Sequence, residues 1–272
     1  MLQPPDITCF LFFFLSLTDT GTVEVKVSDS AVKVVKEQDV FIPCTISGYG
    51  STELDLQLLS VHWSRGSDPV YIYDRGSPNP IRTGSELLNT HLIRGNAGLY
   101  IPQAQIRDEG EYTCAVTLNT ETSMGQCRVE VSVKPSARLV PSDVIIEEGT
   151  ERGVTCHANN YYPEMIKFQW IKHLNDAQHV VLRQGVSTNE PLENGDGTFN
   201  VTSQLMLKPS MEDDGEKYSC IISHRSLEND LVLDFTLSVK VAKLKIILLG
   251  AVSGSVAAVM IVMCICCCRN IV

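Results

Sequence analysis

Four kinds of side chain in this 272-residue chain have the means for chemistry: ten cysteines, six histidines, paired carboxylates and scattered hydroxyls. Only the cysteines fall into a pattern. Cys44 is followed by Trp63 and then by Asp108, Gly110, Tyr112 and Cys114. Cys156 is followed by Trp170 and then by Asp213, Asp214, Gly215, Tyr218 and Cys220, with the acid–glycine step at Asp214. The other groups show no such order. The pairs Asp213–Asp214 and Glu147–Glu148 lie between strand-like segments, where solvated loop residues are the ordinary outcome. No Gly-x-Ser-x-Gly, His-Glu-x-x-His or phosphate-loop spacing occurs, and the histidines lack metal-ligand spacing. The expectation is a non-enzyme with no catalytic residue, no metal site and no cofactor.

Repetition of cysteine, tryptophan and Tyr-x-Cys in fixed order is the mark of the immunoglobulin sandwich. In that fold the two cysteines bridge the facing sheets, the tryptophan packs on the bridge, and the tyrosine makes a corner hydrogen bond. This assigns the bridges Cys44–Cys114 and Cys156–Cys220. The expected class is all-β: two immunoglobulin sandwiches in tandem, variable-type then constant-type, plus one transmembrane helix. In the first, strands are expected at residues 40–46, 61–64, 70–73, 98–101, 112–116 and 127–133. The separation of Cys44 from Cys114 leaves room for an extra hairpin, which makes it variable-type with about nine strands. Arg82 is a candidate ion-pair partner for Asp108. Cys127 is the odd ectodomain cysteine; it shares a face with Val129, Val131 and Val133 and reads as a buried thiol, with a bridge to a second chain as the alternative. His224 reads as a structural histidine.

The expected boundaries are a signal peptide at 1–22, a variable-type domain at 23–133, a linker at 134–137 and a constant-type domain at 138–240. A juxtamembrane and transmembrane segment at 241–268 and a cytoplasmic tail at 269–272 follow. Residues 7–17 are too short an apolar run to span a bilayer and fit a leader, although Asp6 stands where a basic residue is usual. Residues 246–268 carry no charge and at ~1.5 Å per residue reach about 35 Å, enough for a span. Removal of a lipid-anchor signal at that end is the alternative. Gly250 and Gly254 permit close helix approach and a weak homodimer, and Cys266, Cys267 and Cys268 are palmitoylation candidates. The plasma membrane, external side, is the expected location. A net charge of −10 argues against a nucleic-acid partner. Asn200, in Asn200-Val-Thr202, is the glycosylation candidate.

Without catalytic groups, function falls to surface recognition. The first domain offers a polar loop at residues 47–56 and another at 117–124, of compositions that suit adaptable contacts. Partner-binding candidates are Asn119, Thr120, Glu121 and Thr122, with Tyr71 and Tyr73 as displayed aromatics. A variable-type domain, a constant-type domain, a span and a short tail together resemble the butyrophilin-like costimulatory ligand family. The second-domain segments carrying the likeness are residues 194–202, Tyr162 to Glu164 and His224 to Leu227. The resemblance implies a cell-surface ligand that binds a lymphocyte or natural killer cell receptor in trans through its membrane-distal domain. It also implies that residues 119–122 do the binding. A chaperone of antigen-presenting molecules and a homophilic adhesion molecule are the alternatives.

Overall fold

The computed structural model describes residues 22–50, 52–174 and 178–241. The expected leader, span, tail, palmitoylation cysteines and Gly250–Gly254 pair lie outside them, apart from Thr22. Among the described residues, no helix is long and apolar enough to cross a membrane. The chain parts into two units between Ser132 and Val133.

The first unit runs β1 (Glu24–Val27), β2 (Val32–Val35), β3 (Val40–Ile42), β4 (Cys44–Ser47), β5 (Leu59–Arg65), β6 (Asp68–Asp74) and β7 (Ser77–Pro80). It continues with α1 (Asn89–Leu92), β8 (Leu99–Ile101), β9 (Gly110–Leu118) and β10 (Glu121–Ser132). The front sheet has the order β2-β10-β9-β5-β6-β7, with β2 parallel to β10. β6 and β7 are the extra hairpin of a variable-type domain. The back layer pairs β1 with β4 and β3 with β8. One strand was expected at 40–46; Pro43 divides it, because proline lacks the N–H that a ladder needs. The outer strand β7 carries Pro78 and Pro80, which blunt the sheet edge against further pairing.

Between the layers lie Trp63, Leu59, Val61, Leu99, Ile101, Tyr112, Val129 and Val131, closed by the Cys44–Cys114 bridge. Trp63 is fully buried and donates its Nε1–H to the carbonyl of Ala97 at 2.9 Å. Tyr112 donates its hydroxyl to the carbonyl of Asp108 at 2.8 Å, and burial pushes its phenol up to about 12. Arg82 meets Asp108 with two hydrogen bonds, Nε to Oδ1 at 3.1 Å and Nη2 to Oδ2 at 2.9 Å. Cys127 is 6 % exposed and unbridged, directly across from Tyr112, and burial pushes its thiol up.

The second unit runs β11 (Ser136–Val140), β12 (Val144–Glu147), β13 (Arg152–Tyr161), β14 (Ile166–His173) and β15 (His179–Leu182). It continues with β16 (Val186–Thr188), β17 (Leu192–Glu193), β18 (Phe199–Leu207), β19 (Lys217–His224) and β20 (Leu231–Lys240). One sheet is β11-β13-β18-β16 and the other β12-β20-β19-β14-β15, the constant-type layout. Strand pairing starts at Ser136, inside the segment expected to be a linker, and Val133 already bridges to Tyr162. Trp170 is buried beside the Cys156–Cys220 bridge and donates to Ser203 Oγ at 3.0 Å. The acid matching Asp108 is Asp213, not Asp214. Asp213 accepts from Lys172 Nζ at 3.0 Å and from the amide of Ser210 at 2.9 Å, whereas Asp214 accepts the amide of Val239. An extra residue between glycine and tyrosine in this run shifts the register.

Candidate partner-binding surface

The outward face of the front sheet follows from strand alternation. Because Cys127, Val129 and Val131 point inward, Met124, Gln126 and Arg128 point out. Cross-strand register then lines up Met124, Ala115, His62, Ile72 and Asn79 as one row over five strands. The next row is Thr122, Thr117, Ser60, Asp74 and Ser77. Thr117 and Thr122 share a hydroxyl hydrogen bond at 3.0 Å, and Ser60 donates to Asp74. On the other side Gln126 donates to Thr113 Oγ1 at 3.2 Å. The two central strands present Ala115, Thr117, Ser60 and His62 on this face, Asp74 follows on β6, and Met124 stands 62 % exposed at the rim. Sequence reasoning passed over Met124; its signal was the inward alternation of Cys127 and the valines.

The segment expected as a loop at 117–124 is almost entirely strand. β9 runs to Leu118 and β10 starts at Glu121, so Asn119 and Thr120 alone make the turn, with Asn119 at φ 55°. Asparagine tolerates that left-handed region better than most residues. Asn119, Thr120, Glu121 and Thr122 are all exposed. Thr122 faces the front sheet; Glu121 reaches the other way and accepts the amide of Val23 at 3.1 Å. The loop at residues 48–58 is pinned by Leu54, which is buried and whose amide donates to the carbonyl of Ile93.

Tyr71 and Tyr73 are not surface aromatics. They are 2 % and 1 % exposed. Tyr71 stands across from Trp63 and Tyr73 across from Val61. Cross-strand partners share a face, so the inward Trp63 and Val61 draw both rings into the core.

Asn200 lies on the outward side of β18 and is half-buried. Its Nδ2 donates to Asn194 Oδ1 at 2.7 Å and its Oδ1 accepts the amide of Asn160 at 2.9 Å. His224 is buried; its Nε2 bonds the carbonyl of Pro163 at 2.9 Å and its Nδ1 meets Ser226 Oγ at 2.6 Å. Burial lowers its pKa, so the ring is a neutral strut.

One cluster resembles a nucleophile set in composition only. His173 Nε2 is 2.6 Å from Ser219 Oγ, and Ser219 donates to Asp234 Oδ1 at 2.6 Å. The serine proton is committed to the carboxylate rather than to the imidazole, the reverse of what base activation needs, and Ser219 is fully buried. No group of three or more metal-ligating side chains occurs among the described residues.

Comparison with known proteins agrees with this geometry. Residues 27–134 match the immunoglobulin V-set domain and residues 139–227 the immunoglobulin C1-set domain. The chain is 30% identical over 241 residues to human natural cytotoxicity triggering receptor 3 ligand 1, covering 85% of this chain and 52% of that protein. It is 26% identical over 234 residues to human tapasin-related protein, covering 80% of this chain and 46% of that one. The chain therefore spans about half the length of these curated relatives. Bovine butyrophilin shares the fold, with a TM-score of 0.63 at 18% identity, over 79% of this chain and 98% of that structure.

Proposed function

From a chain built of an immunoglobulin V-set domain followed by a C1-set domain, we propose a cell-surface ligand that engages an immune-cell receptor in trans and modulates activation. The observation that carries this reading is the V-set front face. It joins the hydroxyls of Thr117, Thr122 and Ser60 and an exposed Met124 to the exposed Asn119–Thr120 turn. Such a face offers hydroxyls for adaptable hydrogen bonds and one flexible apolar anchor of the kind that adapts to a partner. The relative named as a receptor ligand supports the reading. In this reading residues 1–22 are removed, residues 246–268 hold the chain in the plasma membrane, and Asn200 carries a glycan on the outer side. Asn119, Thr120 and Thr122 remain the contact residues, joined by Met124, while Tyr71 and Tyr73 are withdrawn.

Likeness to tapasin-related protein favours a second reading, a chaperone of antigen-presenting molecules within the secretory pathway. Full-length chain expressed on a cell line and co-cultured with lymphocytes separates the two. The ligand reading expects the chain at the surface and a change in activation of a lymphocyte subset, abolished by Met124→Asp. Intracellular retention with no effect on any subset would sink it and leave the chaperone.

A further inference from the structure

Residues 22–25 lead into β1 beside Gly48 and the start of β10. β1 pairs with β4 in the register Glu24 to Ser47. Every second amide of a strand paired on one side points away from its partner, which leaves Val23 and Val25 to find acceptors elsewhere. Both find them on β10: the amide of Val23 donates to Glu121 Oε2 at 3.1 Å and that of Val25 to Ser123 Oγ at 3.2 Å. The two-residue spacing matches on both strands, so two side chains do the work of a missing backbone ladder. Nearby, Val25 and Val27 close over Gly125, where a Cβ would press into both valines. On the other flank the carbonyl of Thr22 abuts Gly48, the first residue of the long loop; a side chain there would collide with it, and Gly48 sits at φ 76°. Residues 22–25 therefore lie between Gly48 and the Glu121 and Ser123 side chains at the start of β10.

We propose that this entry segment, residues 23–25, belongs to the receptor-contact surface, and that Glu121 is the positioning residue that clamps it there. The inference rests on the ligand reading for its partner and changes the role of Glu121, which the sequence suggested as a contact.

The test uses the full chain on cells. A six-residue Gly/Ser insertion immediately before Val23 is expected to lower receptor-cell binding at least about tenfold with surface display unchanged; binding equal to the parent would overturn the contact role. The clamp is read separately by amide exchange on the purified full chain in detergent. Glu121→Ala with Ser123→Ala is expected to speed exchange of residues 23–27 about tenfold, and Glu121→Gln, which keeps an acceptor for the Val23 amide, to restore both slow exchange and binding. Unchanged exchange would overturn the clamp, and loss of binding in Glu121→Gln with slow exchange retained would make Glu121 a direct charged contact. A mature N-terminus mapped beyond Val25 would overturn the whole proposal. If the parent engages no lymphocyte subset, the ligand reading falls and the contact role with it, while the exchange result still judges the clamp.

Discussion

Replacing Arg82 by alanine tests the packing account most sharply. The Asp108 side chain is 5% exposed and holds two hydrogen bonds from Arg82 and one from the amide of Gln105 at 2.8 Å. Burial by itself pushes this carboxyl up, but the Arg82 and Gln105 hydrogen bonds outweigh it and hold the group below its usual range. Such a group stabilises the fold above the unfolded carboxyl value of about 3.9 and loses that contribution as pH falls through its lower folded value. Arg82→Ala leaves the carboxylate buried with one donor, and the sign reverses: the folded carboxyl rises above its unfolded value and opposes folding at neutral pH. Breaking a buried pair on one side costs ~3–5 kcal/mol; Arg82 is itself partly exposed, so about 3 kcal/mol is expected. With a urea slope of ~1.5 kcal/mol/M, the midpoint of the V-set transition falls by about 2 M at pH 7. The deficit against the parent should shrink as pH is lowered towards 4, because protonation relieves the stranded charge. Arg82→Met with Asp108→Leu should recover most of the loss, since an apolar pair of similar volume is often neutral. A loss under ~1 kcal/mol for Arg82→Ala, or a double variant no better than the single, would refute the reasoning.

Replacing Cys44 and Cys114 together by alanine should cost roughly 4 kcal/mol, the chain-entropy value for a bridge across 70 residues, read as a lowered V-set melting temperature. Tyr73→Ala should cost ~3–5 kcal/mol like other large-to-small core changes and lose binding only through unfolding; a well-folded Tyr73→Ala variant would contradict its burial. Tyr161 has a buried hydroxyl without a hydrogen-bond partner, so Tyr161→Phe should leave C1-set stability unchanged or raise it by about 1 kcal/mol; a loss of that size would show a partner for the hydroxyl. The buried Cys127 should resist a thiol reagent in the native protein at pH 8 and react only on unfolding, and native-state labelling within minutes would count against its inward position.

The repeated cysteine, tryptophan and tyrosine made the two sandwiches legible because these residues do their work in the core, where type and spacing are tightly constrained. The Arg82–Asp108 brace was legible for the same reason. The contact end was less so. Alternation at residues 70–73 separates Tyr71 and Tyr73 from Val70 and Ile72 but does not say which face is inward; the register to Trp63 and Val61 decides it. The continuation of β9 and β10 to Leu118 and Glu121 was hidden because the hairpin outruns the core. Past Cys127 its inward positions are Gly125 and Ser123, which close against β1 and bond its amide. A hydrophobic period therefore stops while the strand goes on. The clamp on residues 23–25 left no pattern at all, because a glutamate accepting a distant backbone amide looks like any exposed glutamate.

The central claim is that the turn and front face of the V-set domain contact a receptor on another cell. Residues 23–241 displayed as a multivalent probe on a panel of lymphocyte and natural killer cell subsets test it most directly, beside a companion carrying Asn119→Ala, Thr120→Ala and Met124→Asp. The account predicts staining of a defined subset by the parent and at least tenfold weaker staining by an equally folded companion. Equal staining by both would contradict the placement of the contact surface, and staining of no subset would contradict the ligand function itself.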